Sequence, residues 1–340
     1  MERISFSTPN SYANPLDYEK IVTHNDFDGI VSASLCAWVL KVEKVIFTGP
    51  LNITRSQITI TERDVVCDLP YPLQCGLWFD HHEGNLQELG YRKIDPKSIP
   101  GRFDLKPSCS RVVYEYFSER IELSSYFLKA VEEADVIDSF SYSSIEDWRQ
   151  ETPGKMIDMT LKVRFQSADE QVGHMRNLVQ QLRDGPIDAV STLPFVQKRL
   201  RQYREEEGQM LRIIQSSSNF LEQDRMREIV VIDLTPYDRS PQLIKNLAFL
   251  VYPKALAVLE VYNLKNLGVK SNNLGFSMSL SINGNREGHS KNIGEIMRDL
   301  NIGDGHPGAA AGTVQCKSKQ EMLKKKKEIL SQIFALWSSQ

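Results

Sequence analysis

Three short stretches in the N-terminal half carry imidazoles and carboxylates at spacings that could hold divalent metal ions. In Thr23-His24-Asn25-Asp26-Phe27-Asp28-Gly29 the donors His24, Asp26 and Asp28 fall on alternate residues, so along an extended segment they project to one side. Asp68 directly follows Asp64-Val65-Val66-Cys67, and Asp80-His81-His82 follows Gly76-Leu77-Trp78-Phe79. Any one of these aspartates reads as a turn former. Jointly they ask for more, because three of the chain's six histidines sit in two of these loops and acidic side chains are almost never buried without a partner. Imidazole and carboxylate without thiolate suit Mn2+, Fe2+, Co2+ or Zn2+, and the oxygen-rich balance fits Mn2+ best.

The elements around these loops alternate short apolar runs with helical stretches, the signal of β-α-β units and a parallel sheet. Strands are expected at Lys20–Thr23, Val45–Phe47, Asp64–Cys67 and Gly76–Phe79, with helices over Ile30–Leu40, Ser110–Arg120 and 124–137. Ligands of an open parallel sheet bind outside the carboxyl ends of its strands, so the three loops should face one cleft. Periodicity weakens from Ser139 to Pro194, where 141–154 reads as surface loop and short helix. A long polar helix, Pro194–Ile214, follows as the connection. Beyond it come a strand at 228–232, a helix at 242–252, strands at 255–261 and 275–281, a short helix at 293–300, a glycine-rich turn and a final helix from about 319 to 337. The expected fold class is α/β: a doubly wound parallel-sheet domain over 1–193, a helical linker over 194–220 and a smaller α/β domain over 221–340.

A chain of 340 residues suits two cores rather than one. With 41 Lys plus Arg against 44 Asp plus Glu, the net charge of −3 argues against coating long duplex DNA. Five cysteines without Cys-x-x-Cys pairing argue against a disulfide framework or a zinc knuckle. No apolar stretch reaches membrane-spanning length and the N-terminus shows no signal core, so a cytoplasmic protein without membrane contact is expected. Lys324–Lys327 reads as a solvated helix face, Trp148 and Tyr142 as packing rather than base-stacking groups, and His174 and His289 carry no assigned chemistry.

The sequence resembles the DHH phosphoesterase superfamily, which includes RecJ-type exonucleases, nano-RNases, cyclic-dinucleotide phosphodiesterases and exopolyphosphatase-related proteins. His24 to Gly29 is similar to its first motif, Asp68 to the second and Asp80-His81-His82 to the third. For the fourth, an aspartate near a helix end, Ala134-Asp135-Val136 fits best and Asp138 is the rival. Gly303-Asp304-Gly305-His306-Pro307-Gly308 and the residues to Gly312 resemble the glycine-rich loop of the DHH-associated C-terminal domain.

The resemblance implies a Mn2+-dependent phosphoesterase holding two ions, with Mg2+, Co2+ or Zn2+ as substitutes, that activates water against a phosphoester or phosphoanhydride bond. His24, Asp26, Asp28, Asp68, His81 and Asp135 would be the metal ligands, with Asp68 bridging. Asp80 would orient a histidine and His82 would donate to a phosphate oxygen, while Gly305, His306 and Gly308 hold the substrate's anionic end. Glycines there would let backbone N–H groups approach an anion. Asp304 departs from the family's glycine. Too few residues follow Gly312 for the oligonucleotide-binding barrel of RecJ-type enzymes. The substrate expected is therefore a small phosphorylated nucleotide, a short oligonucleotide or polyphosphate, with homodimerisation left open. The alternative is a catalytically silent nucleotide-binding or sensor protein with the same cleft.

Overall fold

The computed structural model describes residues 17–282 and 290–340; His289 lies outside them. The chain forms two units, one from the described residues up to Ser139 with Phe165–Leu193, the other from Phe140–Arg164 with the described part of Pro194–Gln340.

Strands β1 (Lys20–Thr23), β2 (Val45–Phe47), β3 (Asp64–Cys67), β4 (Leu77–Asp80) and β5 (Gly101–Phe103) make the first unit's sheet. Its order is β2-β1-β3-β4-β5 and every pairing is parallel. β3 and β4 are buried along their whole length, as strands covered on both faces must be. One face packs Val22, Val66 and Trp78 against Ile53, Leu69, Leu89 and Ile99. The helix Phe27–Leu40 is buried continuously from Phe27 to Ala37, which is why its apolar residues form no single stripe. The strand order reverses between β1 and β3, the place where an open α/β sheet leaves a crevice at its carboxyl edge. The loops leaving β1, β3 and β4 there are the three that carry the imidazoles and carboxylates.

The second unit holds β6 (Ser218–Asn219), β7 (Ile229–Asp233), β8 (Ala257–Asn266), β9 (Val269–Leu280), β10 (Gly303–His306) and β11 (Ala309–Val314). The sheet order is β10-β11-β9-β8-β7-β6, and only β7 and β8 run parallel. Strand alternation divides its side chains between two cores. Leu259, Val261, Phe276 and Met278 meet the helices Ile293–Asp299 and Lys319–Ser339, and Val230, Ile232 and Val258 meet Met210 and Ile214 of the helix Pro194–Ser217.

Some expectations change in the folded chain and others hold. Phe140–Arg164 packs with the second unit rather than with its sequence neighbours, so that unit is no smaller than the first. The long polar helix belongs to that unit as well. Trp148 is only 5% exposed and lies in the second unit's core, with Tyr142 packed against it. Between the weakly periodic residues lies a helix of 17 residues, Ala168–Asp184, which buries Met175, Leu178, Val179 and Leu182. The final lysines are a solvated face with partners: Lys324 to Glu328, Lys325 to Glu321 and Lys326 to Asp233.

Candidate metal centre

The first loop is built by a helix start. Asp26 caps the helix Phe27–Leu40 by accepting from the Gly29 amide at 2.9 Å through Oδ1, and its Oδ2 meets His24 Nδ1 at 2.5 Å. Gly29 is required sterically, since a Cβ there would lie 2.4 Å from the His24 carbonyl oxygen. A Gly29→Ala change is therefore expected to displace the loop, costing about 1–3 kcal/mol in thermal or denaturant unfolding and weakening metal binding. Unchanged stability and affinity would contradict the tight turn.

Asp28 is buried and its two oxygens accept the Cys109 and Ser110 amides at 2.7 and 2.8 Å. These amides open the helix Cys109–Ser118, whose positive end favours a carboxylate. Asp68 stands in the left-handed region at φ 57°, a conformation aspartate tolerates better than most residues. Its amide donates to the Phe79 carbonyl at 2.9 Å, extending the β3–β4 pairing by one bond, and the side chain then turns into the crevice edge. His81 hydrogen-bonds the Lys106 carbonyl through Nδ1 at 3.0 Å. A carbonyl only accepts, so Nδ1 carries the proton and Nε2 faces the carboxylates. Asp80, fully buried, accepts from His82 Nδ1 at 2.8 Å and from Asn85 Nδ2 at 2.7 Å.

These placements converge on three ligand groups: His24 with Asp26 and Asp68; Asp68 with His81 and His82; and Asp28 with His81 and Asp138. Asp68 is common to the first two. His81 Nε2 lies 3.6 Å from Asp68, 3.9 Å from Asp28 and 3.4 Å from Asp138, and His24 Nδ1 lies 3.6 Å from Asp68. Both Asp68 oxygens and His81 Nε2 are buried without any hydrogen-bond partner among the described residues. Buried polar atoms are nearly always paired, so the two Asp68 oxygens, buried without a hydrogen-bond partner beside His24 and His81, fit a cation. The donor set, imidazole and carboxylate without thiolate, fits a first-row divalent ion or Mg2+.

Of the two fourth-motif rivals, Asp138 reaches this cluster and Asp135 does not. Asp135 is occupied by Arg111, which donates from Nε at 2.9 Å and Nη2 at 2.5 Å, and by Ser108 Oγ at 2.6 Å. The expectation for Asp135 is thus replaced by a structural ion pair. Residue types alone give no sign of Asn85, the Lys106 carbonyl or the Cys109 and Ser110 amides; only the Ser108 helix cap could have marked that helix start.

Crowding shapes the titration of the metal-free cluster. Burial, then Asp68 and Asp138, push Asp28 well above the ordinary carboxylate range. Asp138 is raised to about 7, first by burial and then by Asp68. Burial works to lower His24, but Asp26 and Asp68 outweigh it and bring it up to about 10. His81 likewise rises to about 10 against burial, through Asp68, Asp28 and Asp138. For Asp68, burial favours the neutral acid, yet His24 and His81 hold its carboxyl far below the usual range.

The glycine-rich stretch is a β-hairpin, β10 turning through Pro307-Gly308 into β11. Its glycines are explained by packing: a Cβ at Gly303 would lie 1.9 Å from the Ala311 carbonyl oxygen, and one at Gly305 would lie 2.4 Å from that of Ala309. The Gly305 amide donates to Asp304 at 2.8 Å and the Gly308 amide to His306 Nδ1 at 3.1 Å, so both amides expected to face an anion are engaged within the hairpin. Arg298 pairs with Asp304 at 2.6 Å, balancing the carboxylate that departs from the family pattern.

No family model and no curated protein matches the sequence. Solved structures do. A pGpG-specific phosphodiesterase, PggH from Vibrio cholerae, is 23% identical with a TM-score of 0.68, over 93% of this chain and 99% of that one. A DHH domain described as a member of the s1p family of ribosomal proteins is 13% identical with a TM-score of 0.60, over 94% and 86%. The chain has the DHH-type fold. RecJ from Thermus thermophilus, solved with Mn2+, shares it at 12% identity and a TM-score of 0.55; the match covers 95% of this chain but 52% of that RecJ. Among the described residues no helix is long and apolar enough to cross a membrane.

Proposed function

We propose that the chain is a divalent-metal-dependent phosphoesterase that hydrolyses a phosphoester or phosphoanhydride bond in a small nucleotide or short oligonucleotide. One observation carries the reading: Asp68, shared by two ligand groups, keeps both oxygens buried without a hydrogen-bond partner among the described residues. Bound divalent ions supply Lewis acidity and a water acidic enough to attack phosphorus near neutral pH. His24, Asp26 and Asp68 would hold one ion, and Asp28, His81 and Asp138 the other, with Asp68 common to both. Asp80, fixed by Asn85, holds His82 Nδ1–H and thereby aims Nε2 away from itself. Burial works to lower His82, but Asp80 outweighs it and raises the ring, so as an imidazolium it would donate from Nε2 to a phosphoryl oxygen. The likeness to PggH, named for pGpG, and to RecJ crystallised with Mn2+ supports a nucleotide substrate and Mn2+ as the working ion.

The test is turnover with Mn2+ on pGpG, short oligonucleotides, adenosine bisphosphate, cyclic dinucleotides and polyphosphate. Release of phosphate or mononucleotide from at least one, abolished by a chelator, is expected. Tight nucleotide binding with no turnover under Mn2+, Mg2+ or Co2+ would instead make the protein a silent binder.

Metal binding must displace protons from this centre. With His24 and His81 held near pH 10, both carry a proton at neutral pH in the metal-free protein, so apparent Mn2+ affinity should rise roughly tenfold to a hundredfold per pH unit from 6.5 to 8.5. The linkage to stability has the opposite sign. Both imidazoles, and Asp138 raised to about 7, contribute stability that is full below their unfolded values and lost as pH rises through the folded ones. The metal-free protein should thus unfold at lower temperature at pH 8.5 than at pH 6, and saturating Mn2+ should shrink or reverse that fall. Calorimetric titration and thermal unfolding across this range measure both, and a pH-independent affinity would refute the assignment.

A further inference from the structure

Beside the loops of the candidate metal centre, two thiols touch. Cys36 Sγ, on the helix Phe27–Leu40, lies 3.6 Å from Cys67 Sγ, on the last residue of β3. Both residues are 0% exposed, and both are free cysteines. The separation is that of non-bonded sulfurs in contact, against about 2.05 Å in a disulfide.

Each member of the pair is fastened to an element that carries candidate ligands. Cys67 immediately precedes Asp68, and its register partners are Thr23 of β1 and Phe79 of β4. The helix that bears Cys36 starts at the Asp26 cap and holds Asp28 in its first turn. Joining the sulfurs would draw them together by roughly 1.5 Å. The helix is buried from Phe27 to Ala37 and β3 along its whole length, and packed interiors leave few voids in which two side chains could swing together. Part of the shift must therefore pass into the helix or the end of β3, which set Asp26, Asp28 and Asp68 relative to one another.

We propose that Cys36 and Cys67 are a reversible redox switch, in which a hydroperoxide joins them as a disulfide that weakens divalent-metal binding at Asp68. The inference rests on the metal-centre reading above. One sulfur attacks a peroxide oxygen, which breaks the O–O bond and leaves a sulfenic acid and, from hydrogen peroxide, one water. The other sulfur, already in contact, displaces the sulfenic oxygen as a second water. The two thiols thus lose two electrons and two protons, and the peroxide takes up both. With the second thiol adjacent, closure into the disulfide outruns further oxidation of the first. Burial, and then the Cys36 thiol, push the Cys67 thiol well up, so the closed core is unreactive and the step goes through local opening. A water-sized oxidant can use such an opening where a bulky disulfide cannot. A dithiol returns both sulfurs to thiols by exchange.

The experiment treats the full-length, metal-free protein with hydrogen peroxide, removes the peroxide, and alkylates the thiols in denaturant before mass measurement. Three of the five cysteines should take the label, with Cys36 and Cys67 recovered as one cross-linked peptide pair, and dithiothreitol should restore all five. Calorimetric titration of the cross-linked protein should show Mn2+ affinity at least tenfold weaker, recovered on reduction, with circular dichroism unchanged. Cys36→Ala should keep its Mn2+ affinity through the same peroxide treatment. Label on all five cysteines, a cross-link elsewhere, a Cys36–Cys67 cross-link that changes Mn2+ affinity less than tenfold or unfolds the protein, or an equal loss in Cys36→Ala would each overturn the switch. A reduced protein that binds no Mn2+ would sink the metal centre and the switch together, whereas Mn2+ binding with five labelled thiols after peroxide would sink the switch alone.

Discussion

Asp68→Asn should lower Mn2+-dependent turnover by about a thousandfold or more at saturating metal, the scale expected when a group that fixes the reacting charges is lost. The reason is geometric. Asp68 is the one carboxylate common to the His24 and His81 sides of the centre, and neither oxygen has another partner among the described residues. Asparagine keeps the shape and the left-handed backbone, which it tolerates as aspartate does, so β3, β4 and the loop between them should persist. Two electrostatic changes then oppose each other in the metal-free protein. His24 and His81 lose the carboxylate that raises them, which costs stability, while Asp28 and Asp138 lose the repulsion that pushes them up, which restores some. Unaltered circular dichroism with weakened Mn2+ binding and lost turnover is the expected result. Turnover within tenfold of the unaltered protein would remove Asp68 from its shared position.

The candidate loops are legible in the sequence because each imidazole or carboxylate follows directly on a short apolar run, and the end of such a run in a parallel sheet is the edge where ligands of such sheets bind. Other features hide for physical reasons. The glycines at 303 and 305 look like an anion cradle, but anion approach and close strand packing make the same demand, the absence of a Cβ, and here the Ala309 and Ala311 carbonyls occupy the space. The helix Ala168–Asp184 keeps its apolar residues at helical spacing, at 175, 178, 179 and 182, yet the charged and polar residues between them mask the stripe. Residues 140–164 directly follow the helix that ends at Asp138, but they build the second unit's core, with Trp148 against Met210 and Ile214. No local pattern can report which sheet a segment will cover.

Asp135 and Asp138 give the second large effect, with opposite signs. They lie three residues apart on the helix Tyr126–Asp138, so they share a face and spacing cannot separate them. What separates them is Arg111, reaching from the helix Cys109–Ser118 to take Asp135 with two hydrogen bonds and leaving Asp138 beside His81. Asp138→Asn should therefore raise the thermal midpoint of the metal-free protein at pH 8, where burial and Asp68 make the ionised carboxylate unfavourable. It should also cut Mn2+ affinity and reduce turnover at least about a hundredfold, as loss of a charged group at a reacting centre does. Asp135→Asn should do the reverse, costing about 1–3 kcal/mol of stability by removing the charge that Arg111 pairs with and one of the two oxygens that accept from Arg111 and Ser108, while Mn2+ affinity stays within a few-fold. Thermal unfolding with and without Mn2+, alongside calorimetric titration of both variants, measures the crossed pattern. If Asp135→Asn lost the metal and Asp138→Asn kept it, the centre would have to be rebuilt around an Arg111 that lets go of Asp135 when the cation enters.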